Sequence, residues 1–146
     1  MSGPIRFNVY VTVKEGRLDE FKQIARDWSS YQKKERPDIL SYEWFLSSDE
    51  KHCQVVELYD SSEAMLKTMG ATSESESDEN PDYPYQITKL EVLGNVSGEL
   101  REKLDAGDSP VDYWTYLDGF IRYRCPERKA LTIEVANVRT KKKDQS

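Results

Sequence analysis

The sequence predicts one α+β domain with a β-α-β-β-α-β core that closes by residue 94 and continues into a helix-plus-strand extension. Three observations predict it: an alternating N-terminal strand that runs into a helical repeat, two alternating segments joined by a turn-rich pentapeptide, and a second helix-then-strand unit. With 146 residues, 37% of them hydrophobic, the chain can bury one sizeable core without a disulfide or a metal.

Ile5, Phe7, Val9, Val11 and Val13 alternate with Arg6, Asn8, Tyr10 and Thr12, so one strand face meets a core and the other meets something more polar. After Gly16, the residues Leu18, Phe21, Ile24, Trp28 and Tyr31 recur at spacings of three and four, which predicts an apolar helix face ended by Pro37. Ile39 to Ser47 and Cys53 to Asp60 read as a hairpin across SDEKH. Asp60 and Glu63 stand at capping-box spacing, which starts a short helix near Ser61 that carries Ala64, Met65, Leu66 and Met69 to Gly70. Ile87 to Gly94 supplies the fourth strand. Two helices then cover one face of a four-stranded antiparallel, ferredoxin-like sheet and leave the other face open.

The organisation expected is a core over 1–94 with an acidic, flexible loop at 73–84, an extension over 95–139 of the same domain, and a disordered basic tail at 140–146. In the extension, Asn95 or Ser97 caps a helix holding Leu100 and Leu104, and VDYWTYLDGFIRYR and LTIEVANV read as strand, turn and strand. The charge is local. Between Ser73 and Asp82 the acids Glu74, Glu76, Asp78, Glu79 and Asp82 have no basic neighbour; without these five, 22 acids face 21 bases elsewhere. A nearly neutral body has no basic face for phosphates, so nucleic acid is not an expected partner. No apolar run approaches the ~20 residues of a membrane span, and no secretory leader is visible, so no membrane and a cytoplasmic location are expected. Cys53 and Cys125 lack metal-ligand spacing and read as idle thiols; no metal is expected.

The order of short motifs carries a family resemblance. Lys-x-Gly at Lys14 precedes the first helix, Ser41-Tyr42-Glu43 lies in the second strand, and Glu57-x-Tyr59 ends the third ahead of Ser-x-Glu-Ala at Ser61 to Ala64. Over about residues 5 to 94 the chain resembles the antibiotic-biosynthesis-monooxygenase domain of the dimeric α/β-barrel superfamily. The resemblance implies a homodimer paired through the sheet face, and its members include cofactor-independent oxygenases of quinols and phenols as well as haem-degrading enzymes. No cofactor is expected here. Cofactor-free oxygenation needs a base or strong hydrogen-bond donors in a dry pocket, which nominates Asn8, Tyr10 and Glu57 as catalytic. Tyr42, Trp44 and Tyr59, with Trp114 and Arg122 at the pocket mouth, are the expected ligand-binding groups for a small aromatic or apolar molecule. The family's second-helix histidine has no counterpart, because Thr68 stands there; His52, the only histidine, falls beside the hairpin turn and reads as solvated. The residues therefore leave two classes open, an oxygenase and a non-catalytic barrel that binds an apolar ligand or serves as an interaction module.

Overall fold

At the centre of a five-stranded sheet lies β1 (Ile5–Val13), with its neighbours ordered β2-β3-β1-β4-β5. The computed structural model describes residues 3–71 and 81–122. In chain order, α1 (Leu18–Glu35), β2 (Ile39–Leu46), β3 (His52–Tyr59), α2 (Ser62–Ala71), β4 (Tyr85–Leu93), α3 (Gly98–Asp105) and β5 (Val111–Trp114) follow β1. β1 runs antiparallel to β3 and β4, and β2 antiparallel to β3, which is the ferredoxin-like arrangement; β5 adds to the edge of β4 in parallel. Among the described residues no helix is long and apolar enough to cross a membrane.

The alternation in β1 sorts its side chains as the sequence implies. Ile5, Val9, Val11 and Val13 are buried under the helices, and Arg6, Asn8, Tyr10 and Thr12 point to the uncovered face. Two clusters form the core: Val9, Val11, Phe21, Cys53 and Val55 beneath α1, and Ile5, Tyr59, Met65, Val92, Leu100 and Leu104 beneath α2 and α3. Fully burying one such large apolar side chain stabilises the fold by about 1.5–3 kcal/mol. Gly94 follows β4 at a φ of 135°, where an added Cβ would stand 2.7 Å from the Pro4 carbonyl oxygen. No larger residue fits there without displacing the start of β1.

Helix ends follow local chemistry. The Ser97 hydroxyl accepts from the Leu100 amide at 3.2 Å and starts α3, and the Ser61 hydroxyl accepts from the Ala64 amide at 3.1 Å and starts α2. The buried Ser62 hydroxyl accepts from the Ser97 amide and ties the two starts together. Three expectations change. Tyr31 is 42% exposed and Gln32 is buried in its place, because the packed stripe runs through Phe21, Trp28 and Gln32. A bulge at Leu40 and Ser41 and another near Thr88 break strict alternation in β2 and β4, so Ile39 and Tyr42, or Ile87 and Leu90, share the covered face. The extension contributes one short strand among the described residues; LTIEVANV, Cys125, the tail and most of the acidic run (72–80) lie outside them.

The chain divides into two units, one to Tyr116 and another from Leu117. In the second, the described stretch exposes Leu117 and Phe120, and the Arg122 guanidinium lies 4.9 Å over the Phe120 ring.

Candidate active site beneath the helices

Register decides what the covered face presents. Phe7, Glu57 and Tyr42 form one row across β1, β3 and β2, and Val9, Val55 and Trp44 form the next. A carboxylate therefore stands between a phenyl ring and a phenol on the middle of the sheet. Above these rows α1 places Trp28 and Gln32, one turn apart, and α2 places Met65 and Thr68. Between sheet and helices remains a cavity of about 320 Å³ that also reaches Tyr59, Tyr83 and Tyr85.

Glu57 is only 8% exposed, and its Oε1 accepts from the Tyr59 hydroxyl at 2.6 Å. Burial, reinforced by the Glu57 charge, pushes the Tyr42 and Tyr59 hydroxyls far above the usual tyrosine range. Both stay neutral phenols that can donate. The Trp44 indole packs edge-on against Phe21 at 5.7 Å and Tyr42 at 5.9 Å. Its N–H sits close enough to the Tyr42 oxygen to favour the phenolate slightly, yet Trp44 Nε1 and Gln32 Oε1 are both buried with no hydrogen-bond partner among the described residues. Thr68, at the position of the family's expected histidine, lines the cavity and donates to the Ala64 carbonyl at 3.1 Å.

One wall is pinned from outside. The Lys14 ammonium donates to the Pro81 carbonyl at 2.7 Å, and the Arg17 guanidinium donates to the carbonyls of Asp82 and Tyr83. Tyr83 then stacks on Tyr85 with ring centroids 5.5 Å apart.

The expected site residues do not all meet. Glu57, Tyr42, Trp44 and Tyr59 converge on the cavity. Asn8 and Tyr10 stand across the sheet on the uncovered face, where both donate to Glu91 Oε1, at 3.1 and 3.2 Å. The reason is period two: both alternate with the buried valines of β1. Burial and the neighbouring Glu91 raise the Tyr10 hydroxyl. Trp114, on β5, pairs with Leu93 of β4 and is 56% exposed, away from the cavity lining, while Arg122 belongs to the second unit. His52 is exposed, its Nδ1 3.4 Å from the Thr12 hydroxyl. Cys53 is buried, and burial pushes its thiol up to about 11. Among the described residues no cluster of three His, Cys, Asp or Glu is placed to hold a metal ion. Sequence reasoning missed Gln32 as a cavity group; its signal was its place one turn beyond Trp28.

No family model and no curated protein matches the sequence. Solved structures do. MupZ from Pseudomonas fluorescens is similar over 82% of this chain and 95% of its own, at 18% identity and a TM-score of 0.63. A Bacteroides thetaiotaomicron protein of unknown function, described as a possible oxidoreductase, is similar over 63% of this chain and 97% of its own, at 19% identity and a TM-score of 0.53. A Caulobacter crescentus protein assigned to the antibiotic biosynthesis monooxygenases is 30% identical over 49% of this chain and 68% of its own, with a TM-score of 0.45.

Proposed function

We propose that this chain, whose core has the fold of an antibiotic-biosynthesis-monooxygenase-like domain, is a cofactor-independent oxygenase of an electron-rich phenol or quinol held in the helix-side cavity. The observation that carries the reading is Glu57, a carboxylate buried among aromatic walls with neutral phenols beside it.

The chemistry follows from those groups. Glu57 takes the phenolic proton, and the neutral Tyr42 hydroxyl donates to the oxygen on which negative charge develops. The ring anion passes an electron to dioxygen, and the radical pair joins at a ring carbon that still bears hydrogen. Glu57 returns its proton to the peroxide. Loss of that carbon's hydrogen as a proton, with cleavage of the O–O bond, releases water and leaves a quinone. One atom of dioxygen ends in the product and the other in water, so dioxygen is the sole oxidant and no reductant is consumed.

Dissolved-oxygen uptake with a panel of hydroquinones and anthrones tests the reading. Uptake is expected from the native chain, reduced by a factor of about 10² to 10⁴ in Glu57→Gln, the usual contribution of a positioned base. No uptake with any substrate sinks the enzyme. A second reading, a non-catalytic pocket or interaction module, draws on the engaged state of the carboxylate: Tyr59 already holds Glu57 Oε1, and Thr68 offers a hydroxyl where an imidazole would shuttle protons.

The uncovered sheet face suits a second copy of this chain. Asn8 Oδ1 is buried there without a partner among the described residues, Val56 and Leu58 are half-buried, and Phe45 is 54% exposed. A monomer by sedimentation at micromolar concentration would exclude that pairing.

A further inference from the structure

Two buried atoms in the cavity have complementary, unmet demands. Gln32 is 9% exposed and presents an acceptor, Oε1, from α1; Trp44 presents a donor, Nε1–H, from β2. Two other polar groups beside them are engaged, Tyr59 with Glu57 and Thr68 with Ala64. Folded proteins seldom leave buried polar atoms unpaired, and those that remain are met by water or by a ligand. Here one sits in the helical roof and the other in the sheet floor, so an occupant that meets both must span the cavity.

Charge narrows the occupant. The cavity holds the Glu57 carboxyl group, and no Lys, Arg or His is among its described lining residues. An anion would be desolvated beside a carboxylate with no compensating cation, which is strongly unfavourable. The walls between the two atoms are aromatic and favour a flat molecule.

We infer that Gln32 and Trp44 are the specificity-determining anchors of this cavity, and that they select an uncharged, flat molecule with a hydrogen-bond donor at one end and an acceptor at the other, of the hydroxyaryl ketone class. The inference rests on the cavity assigned above as the site but not on oxygen chemistry there. The ligand's hydroxyl donates to Gln32 Oε1, and its carbonyl accepts from Trp44 Nε1. A molecule that lacks either group leaves a buried protein atom unpaired and binds about tenfold or more weakly.

Three bicyclic probes of one shape test this by titration calorimetry: 6-hydroxy-1-tetralone with both groups, 1-tetralone with the acceptor alone, and 5,6,7,8-tetrahydro-2-naphthol with the donor alone. The native chain should bind the first at least about tenfold tighter than either other probe. Gln32→Met should erase the preference over 1-tetralone and keep that over the naphthol. Replacing Trp44 by 3-benzothienylalanine, which exchanges N–H for sulfur at constant shape, should do the converse. Gln32→Met should also raise the melting temperature of the empty protein, since it removes an unpaired buried atom; a fall would mark Gln32 as structural and overturn the inference. So would binding of all three probes alike, loss of both preferences in one variant, or binding of none. Selective binding without oxygen uptake would sink the oxygenase alone, and uptake without selectivity would sink this assignment alone.

Discussion

The two faces of this sheet are made from the same strands and handle polar groups in opposite ways. On the covered face a carboxylate is enclosed by aromatic rings, and a donor and an acceptor have no partner among the described residues around a cavity. On the uncovered face Glu91 gathers Asn8 and Tyr10, and Lys89 bridges Glu91 to Asp112 at 3.7 and 3.0 Å. Polar residues on a strand therefore do not by themselves mark a site. Groups that pair with one another on an open face read as structure, whereas unmet groups around a cavity read as a place for something else; Asn8 Oδ1 on the open face also has no partner among the described residues.

Truncation tests the contrast most strongly. Met65, 1% exposed between α2 and the sheet, should lose about 2–5 kcal/mol of stability as Met65→Ala, because its methylenes leave the core and the cavity grows. Leu58, half-buried on the opposite face, should lose about 1 kcal/mol or less as Leu58→Ala in a dilute monomer. Urea denaturation of both variants reads the difference. Equal losses would mean that the two faces are packed alike.

Much of this frame was legible because it is local. Alternation predicts β1, a cap at Asn95 or Ser97 predicts α3, where Ser97 takes the role, and the turn between Leu46 and His52 predicts the hairpin, each from a few adjacent residues. The candidate site was half legible. Tyr42, Trp44, Glu57 and Tyr59 could be paired strand by strand, but alternation alone does not say which faces coincide after a bulge, and two bulges intervene. Asn8 and Tyr10 drew attention as polar groups on an apolar strand, which is also what a closed surface network looks like. Hydropathy favours Tyr31 over Gln32 for the inward position, whereas in the helix Tyr31 accepts from the Arg36 guanidinium at 2.9 Å and Gln32 is the buried residue. The parallel seat of β5 depends on tertiary contact with β4 and left no local trace.

Alkaline pH should act through the covered face. Burial raises Cys53 from 9.0 to about 11, and burial with the Glu57 charge raises Tyr42 and Tyr59 above 10.0. In each case the folded protein holds the proton more tightly than the unfolded chain does. Their contribution to stability is thus complete below about pH 9 and is lost as pH rises, first through Cys53 and then through the tyrosines, by at most about 1.4 kcal/mol per pH unit per group. Urea midpoints measured between about pH 8 and pH 10.5 should fall, and Cys53→Ala should flatten the first part of that fall. An unchanged slope in the variant would place the titrating group elsewhere.

The smallest effect is expected across the sheet, at Tyr10. Its hydroxyl donates to Glu91 Oε1 at 3.2 Å, an oxygen that Asn8 also serves, and the Lys89 ammonium lies 5.2 Å over its ring. Tyr10→Phe keeps the ring, the cation above it and one of the two donors, so the loss is a single long hydrogen bond, worth about 0.5–1 kcal/mol. Oxygen uptake should stay within about twofold of the native rate, because the β1 backbone separates Tyr10 from the cavity and removing a positioned catalytic group typically costs about 10² or more. If two copies pair over this face, part of that small loss should appear as weaker association in sedimentation at micromolar concentration, with the cavity's probe preferences unchanged. A large loss of uptake in Tyr10→Phe would join the two faces into one site and would require the chain to bend, or a partner to reach, across the sheet.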